Sequence, residues 1–409
     1  MPMKRFRARL TTEVDQVIAS GTAKGVEQIV TEVCAPTDSQ GARVKLDGFG
    51  GKLFLRMNSN SYLGMSLRKE IIQAEEAGAR RYGVGPGAVR FISGSYRPHI
   101  ELEEKLAAFH NREACMLTSS AYTSVMGIIA FLSTPETIII SDELNHNCII
   151  MGMRMARPKG KAIYKHRDMD DLEAKIQDSI GKCDNLLVIT DGIFSMRGAY
   201  APLDKIAALV SKYNDQFAND IVLMVDDSHG VGSMGKTGRG TEEFCKAEGV
   251  DILVATLGKA LGVNGGYIVS DESVIRYLRE KNSFYIYTNP ITPSEATASI
   301  ASLDLLDSER GAKILEHLQS MTAKFEKGLV DLGYETIPSP HPVTPLMVRD
   351  TELTTEVVSF LLDHGILATG LNFPVVPKGD QSIRFQVTAD HTESDIDYVL
   401  SVLAKFKNK

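Results

Sequence analysis

Cysteine is scarce in this chain. Five of its 409 residues carry a thiol, Cys34, Cys115, Cys148, Cys183 and Cys245, and no two stand at Cys-x-x-Cys spacing. That number and scatter fit a reducing compartment and leave no metal motif. A basic excess is lacking too. Against 45 Lys and Arg stand 52 Asp and Glu, a formal charge of −7, which argues against a nucleic-acid-binding surface. No apolar run approaches the length needed to span a bilayer. The first ten residues are basic but have no apolar stretch of the secretory type, so a basic arm on a cytoplasmic protein is expected. Internal repeats, low-complexity stretches and long linkers are missing. What remains is 43% hydrophobic and 24% charged, an ordinary globular balance, in a chain long enough for two packed domains.

The middle of the chain alternates short apolar runs with helical stretches. Runs at 115–118, 138–140, 186–190, 221–225 and 252–255 are followed at once by polar residues, among them Ser119, Ser141, Asp191, Asp226 and Thr256. Continuous apolar strands separated by helices, expected at 170–180 and 202–213, predict an α/β fold with a mostly parallel sheet buried on both faces. In such sheets ligands sit beyond the carboxyl ends of the strands, so one pocket could collect all of these polar groups. From about residue 290 the pattern changes to long helices at 294–306 and 312–332, short strands at 345–348 and 382–387, and a last helix at 393–406. The expected organisation is an N-terminal arm, 1–55, with a helix at 11–33 packed on the large domain. A large domain, 56–290, and a smaller α+β C-terminal domain, 291–409, follow.

The chemistry concentrates on Lys259 and Asp226. Lys259 lies between Gly258 and Ala260 in an apolar neighbourhood, where a surface lysine would have polar neighbours. A buried lysine has a lowered pKa, as Schiff-base chemistry requires. Asp226 follows a buried strand and begins Asp226-Asp227-Ser228-His229. A carboxylate there can keep a pyridine nitrogen protonated, and the pair is what a pyridoxal phosphate site needs. Thr256 offers a hydroxyl to a phosphate oxygen. Ser119-Ser120-Ala121-Tyr122 opens a helix, whose free N–H groups and dipole favour an anion. His146 could stack on an aromatic ring, and Ser195 could donate to a phenolic oxygen. Taken singly, Asp226 also reads as a turn residue, Ser120 as a helix cap and His229 as a structural histidine. Their common position after successive strands argues for one site.

The motifs resemble the α-oxoamine synthases, pyridoxal phosphate enzymes of the type I, aspartate-aminotransferase-like fold. They include Asn60-Ser61-Tyr62-Leu63-Gly64, the glycine-rich stretch from Gly83 to Arg90, Phe194-Ser195-Met196, Asp226 to His229, Thr256-Leu257-Gly258-Lys259 and Ile383-Arg384. Within the family the likeness is greatest to the 2-amino-3-ketobutyrate CoA ligases. The resemblance implies that 56–290 binds pyridoxal phosphate, with Lys259 as the Schiff-base lysine and proton carrier. It gives Asp226 the pyridine nitrogen, His229 and Ser195 the phenolic oxygen, and His146 the ring face. Ser120, Ala121, Tyr122 and Thr256 would hold the phosphate, with Thr288 reaching it from the neighbouring subunit of a homodimer whose active site lies at the interface. Arg384 and Asn60 would hold the amino-acid carboxylate. The reaction implied is condensation of a small amino acid, glycine favoured, with an acyl-CoA, releasing CoA. The alternatives are a synthase of the 8-amino-7-oxononanoate or serine palmitoyltransferase kind using alanine or serine, or an aminotransferase of the same fold. The chain departs from the family pattern at several points: Arg197 stands where an acidic residue is usual, Asn147-Cys148 replaces Ala-Ser, the loop after Leu63-Gly64 is shorter and lacks the typical His-Pro, and Tyr122-Thr123-Ser124-Val125 replaces an aromatic-Asp-Ala-Asn. Arg197 reads either as a solvated surface residue or as a contact for an acidic group on the acyl donor or CoA.

Overall fold

The computed structural model describes residues 3–20, 23, 27–37 and 39–408. A seven-stranded sheet runs in the order Ala114–Thr118, Gly266–Ser270, Ile252–Thr256, Ile221–Asp226, Asn185–Asp191, Thr137–Asp142, Gly160–Tyr164. Only Gly266–Ser270 opposes its neighbours; the other pairings are parallel.

The apolar runs explain this burial. Successive side chains of a strand point to opposite faces, and here both faces are dry. Leu186, Val188, Leu223, Val225, Leu253 and Ala255 enter one core. Leu187, Ile189, Met224, Ile252 and Val254 enter the other. Helices Met169–Ser179 and Leu203–Tyr213 cover the first face through Leu172, Ile176, Ile206 and Val210. Helices Ala121–Leu132 and Asn147–Met155 cover the second through Val125, Ile128, Ile149 and Met153. A fully buried aliphatic side chain of this kind contributes about 1.5–3 kcal/mol. The result is a helix–sheet–helix sandwich whose strands end together at Thr118, Asp142, Asp191, Asp226 and Thr256.

The C-terminal part has a three-stranded antiparallel sheet of Val343–Met347, Ser382–Gln386 and Thr369–Leu371. Helices Glu309–Asp331 and Glu393–Lys407 pack on each other beside it. Among the described residues no helix is long and apolar enough to cross a membrane.

The N-terminal expectation is corrected. The helix spans Lys4–Ala19 and buries no side chain; residues 21, 22 and 24–26 of the expected 11–33 helix lie outside the described residues. Val30–Cys34 is a strand, because the β-branched Val30, Thr31 and Val33 favour extended backbone. It pairs with Arg43–Leu46, which pairs with Leu53–Arg56, and that strand pairs with Ile366–Leu367. These N-terminal strands therefore join the C-terminal part of the molecule. Helix Pro293–Leu306, expected beyond the large domain, packs on Lys69–Tyr82 and Arg97–Phe109. Its small residues, Ala296, Ala298, Ser299 and Ser302, are buried there, and small side chains allow close helix approach.

Candidate active site

A cavity of about 240 Å³ opens at the carboxyl ends of the sheet strands. Ser120, Ala121, Tyr122, His146, Ser195, Asp226, His229, Thr256 and Lys259 line it. These nine expected site residues come from segments spread over 140 positions of sequence, and the strand ends bring them together.

One end of the cavity is built to attract an anion. Strand Ala114–Thr118 leads into helix Ala121–Leu132, where the N-cap Ser120 Oγ accepts from Thr123 N at 3.3 Å. Ala121 and Tyr122 fill the first helical positions, whose N–H groups have no intrahelical acceptor. Gly266 on the neighbouring strand allows this approach: a Cβ there would run into the Ala121 nitrogen. Thr256 Oγ1 donates to Gly265 O at 2.9 Å and accepts from Gly258 N at 3.1 Å, which fixes the turn leading to Lys259. Ser228 Oγ is buried without a partner and belongs to the cavity wall.

Two carboxylates form the floor. Asp226 and Asp191 are register partners on adjacent parallel strands, and both are buried. Asp226 Oδ1 accepts from Ser228 N at 3.1 Å, and its Oδ2 lies 3.5 Å from the Cys148 thiol. Asp191 Oδ2 accepts from His146 N at 2.9 Å. Burial, with Asp226 beside it, pushes the Asp191 carboxyl well above the usual carboxylate range. Neighbouring like charges and desolvation both disfavour a second ionised group.

The Lys259 side-chain amine makes no hydrogen bond or ion pair among the described residues, while its backbone carbonyl accepts from Gly262 N at 3.0 Å. Burial lowers its pKa against the opposing pull of Asp226 and Asp191. His146 Nδ1 accepts from Cys148 N at 3.3 Å and lies 2.9 Å from Cys148 Sγ. Burial holds its pKa down as well. An accepting Nδ1 in a neutral imidazole leaves the proton on Nε2.

Arg384 and Asn60 lie outside the cavity wall but meet each other beside it. Arg384 Nε donates to Ser195 O at 2.6 Å, and Arg384 Nη1 and Nη2 each stand 3.4 Å from Asn60 Oδ1. At 3.4 Å these are weak contacts, which a carboxylate bound bidentately to the planar fork would displace. Gln386 Nε2 donates to the same Asn60 oxygen at 2.7 Å. Tyr62 connects this group to His229, its hydroxyl 2.7 Å from His229 Nδ1. His341 Nδ1 accepts from Val343 N at 3.1 Å, so Nε2 carries the proton and donates to His229 O at 3.0 Å.

Thr288 is half-buried and does not line this chain's cavity. Arg197 forms a partly exposed ion pair with Asp380. Sequence reasoning placed Asp191 at the pocket without giving it a role and missed Cys148 and Ser228, all three in the cavity wall, and Tyr62 and His341 behind it. Asp191 carried the same signal as Asp226, an acid ending an apolar run. Cys148 and His341 gave no local signal of function.

The sequence pattern of the aminotransferase class I and II family matches residues 53–403. An 8-amino-7-oxononanoate synthase of Thermosipho melanesiensis is 37% identical over 371 residues, 90% of this chain and 92% of its own. The human mitochondrial 2-amino-3-ketobutyrate coenzyme A ligase is 36% identical over 397 residues, 97% of this chain and 90% of its own. Among solved structures, a serine palmitoyltransferase of Sphingomonas wittichii superposes with a TM-score of 0.89 at 24% identity, covering 100% of this chain and 98% of that one.

Proposed function

The chain belongs to the aminotransferase class I and II family, in its α-oxoamine synthase group, and on that premise we propose that it condenses a small amino acid, glycine by preference, with an acyl-CoA. It is a pyridoxal-phosphate-dependent acyltransferase with the aspartate-aminotransferase-like fold. The observation that carries the residue assignment is the shared cavity: an unpaired lysine amine and the buried Asp226 carboxylate line the same wall as a helix N-terminus.

These groups fit the cofactor part by part. The Ala121 and Tyr122 amides, with Ser120, Thr256 and the unpartnered Ser228 hydroxyl, would hold the phosphate. Ser195 and His229 would meet the phenolic oxygen, and Asp226 the ring nitrogen. Bound there, pyridoxal phosphate supplies an electron sink for negative charge on the amino-acid α-carbon.

The protein groups do the rest. Arg384, with Asn60, would grip the amino-acid carboxylate through its fork and turn the α-hydrogen toward Lys259. Lys259 Nζ, made less basic by burial, would take that proton and return it later. His146 would cover the ring face with its Nε2–H. The deprotonated α-carbon then attacks the thioester carbonyl, and CoA leaves.

A homodimer is part of the same proposal. Tyr287, next to Thr288, and Phe91 and Ile92, on the turn that packs against Ser283–Ile286, are 74%, 66% and 66% exposed, apolar side chains that a second copy would cover. A cytoplasmic location belongs to it too.

Crossing glycine, alanine and serine with short and long acyl-CoAs in a CoA-release assay tests this function. Glycine-dependent release with a short acyl-CoA is expected. Release only with alanine or serine would overturn the glycine preference, and amino exchange with keto acids without CoA release would overturn the condensation.

A further inference from the structure

We infer that Tyr62 is a positioning residue: its hydroxyl proton fixes His229 as the Nε2–H tautomer, so that one hydrogen-bond donor is aimed into the cavity. The inference rests on the pyridoxal phosphate reading, under which that donor meets the cofactor's phenolic oxygen.

The argument is a count of protons. Tyr62 is fully buried and has one hydrogen to give. Two acceptors stand within reach, His229 Nδ1 at 2.7 Å and Asn60 Oδ1 at 3.3 Å. Asn60 Oδ1 is already claimed. Gln386 Nε2 donates to it at 2.7 Å, and both terminal nitrogens of Arg384 point at it from 3.4 Å. Amide and guanidinium N–H groups can only donate, so none of them can yield the oxygen by reversing roles. They also fix the orientation of the Asn60 amide, whose nitrogen could not face those donors. The tyrosine proton therefore goes to His229 Nδ1, the nearer acceptor.

Nδ1 then holds a lone pair, and a neutral imidazole must carry its hydrogen on Nε2. The doubly protonated ring is disfavoured first by burial and then by the nearby charges of Lys259 and Arg384, which together hold His229 well below the ordinary histidine range. Tyr62 itself does not ionise in the working range, since burial pushes it up to about 12. The backbone beneath the ring is held separately by His341, which donates to His229 O at 3.0 Å. Tyr62 has no place in the cavity wall, whereas His229 does. The Tyr62 hydroxyl oxygen also faces the Arg384 guanidinium, which can only donate to it, so the hydroxyl proton remains with His229 and Tyr62 acts through the histidine.

Nitrogen NMR of the full-length chain, with ¹⁵N-labelled histidine and His229→Gln to assign the signal, reads the tautomer directly. The expected result without cofactor is an unprotonated Nδ1 and a protonated Nε2 in the wild type, and mixed tautomers in Tyr62→Phe. A wild-type ring protonated at Nδ1, or shifts unmoved by Tyr62→Phe, would overturn the inference. The wild-type spectrum alone decides the tautomer if Tyr62→Phe does not fold. With pyridoxal phosphate added, the pH midpoint of the visible band should move by about 1 unit in Tyr62→Phe, the size of one ordinary hydrogen bond. In the His229→Gln background the same substitution should move it no further; an equal shift there also rules against Tyr62 acting through His229. A wild type that takes up no pyridoxal phosphate would defeat the functional reading, while the nitrogen shifts still decide the tautomer.

Discussion

Asp191 and Asp226 stand opposite each other on adjacent parallel strands, two buried carboxyl groups on the floor of one cavity. They do not behave alike. Asp191 is driven toward its protonated form by burial and by Asp226, and it spends an oxygen on the His146 amide at 2.9 Å. Asp226 keeps an oxygen beside the Cys148 thiol and faces the cavity.

Substitution separates these roles. Asp191→Asn replaces a carboxyl that burial and Asp226 push toward neutrality with a neutral group of the same shape that can still accept from His146, so kcat should fall less than about 10-fold. Asp226→Asn removes the charge assigned to the ring nitrogen and should cost about 100-fold or more, the range seen when a preorganised electrostatic contact is lost. Steady-state kinetics on both variants checks this, and equal losses would contradict it.

Lys259→Ala should abolish the visible band of the lysine-bound cofactor and reduce kcat/KM by about 1,000-fold or more, as loss of a covalent catalytic group does. Because burial lowers the pKa of this amine, the wild-type cofactor should load at a pH below that needed by an ordinary lysine. A pH series of cofactor uptake measures it.

Arg384→Lys keeps the charge and loses the fork. KM for the amino acid should rise about 10-fold or more while KM for acyl-CoA holds, because a point charge cannot reproduce bidentate binding. Arg384→Ala should cost more in the same parameter. A change confined to the acyl-CoA KM would count against the assignment.

His110, outside the cavity wall, gives a pH prediction. It is buried, 2.8 Å from Tyr267 OH, and burial with Arg112 and Arg239 nearby lowers its pKa from 6.5 to about 3. The unfolded chain therefore takes up a proton that the folded chain refuses between those values. Its contribution to stability is present above pH 6.5 and is lost as pH falls toward 3. Calorimetry at pH 5 in buffers of different ionisation enthalpy should find roughly one proton fewer taken up on unfolding by His110→Gln than by the wild type.

Tyr287→Asp would set a charge in the exposed apolar set next to Thr288. Sedimentation should show a dimer for the wild type and a shift toward monomer for the variant, with weaker cofactor retention. A wild-type monomer that binds the cofactor and turns over at full rate would remove the interface from the proposal.

The parallel sheet was legible because its strands are dry on both faces and read as unbroken apolar runs, each ending in a polar side chain. That pattern located Asp226, Thr256 and Lys259 without any coordinates. The N-terminal strands were not legible as such. Val30–Cys34 is almost wholly exposed, with burial only at Cys34, so no alternation of buried and exposed positions marked it. Helix Pro293–Leu306 buries small residues on several sides and carries no apolar stripe to show which layer it joins. Tyr62 and His341 lie 279 positions apart, yet their rings meet edge to face at 5.2 Å; only the folded topology puts both against His229. Arg197 was read from its neighbours in sequence, and its partner Asp380 comes from the other end of the chain.

Asp227, between the cavity-lining Asp226 and Ser228, is not itself in the cavity wall and accepts from Thr241 N at 2.7 Å and Thr241 Oγ1 at 2.6 Å. A Cβ at Gly192, Gly230 or Gly240 would run into its carboxylate. Those three glycines come from the loops that carry Ser195, His229 and the approach to helix Thr241–Cys245. One carboxylate thus works as a gauge block: it sets how near three loops can come, and through them the separation of Ser195 from His229. In a library of substitutions the three glycines should fail together with Asp227 as a single group. Their failure should show as lost cofactor geometry before it shows as lost folding.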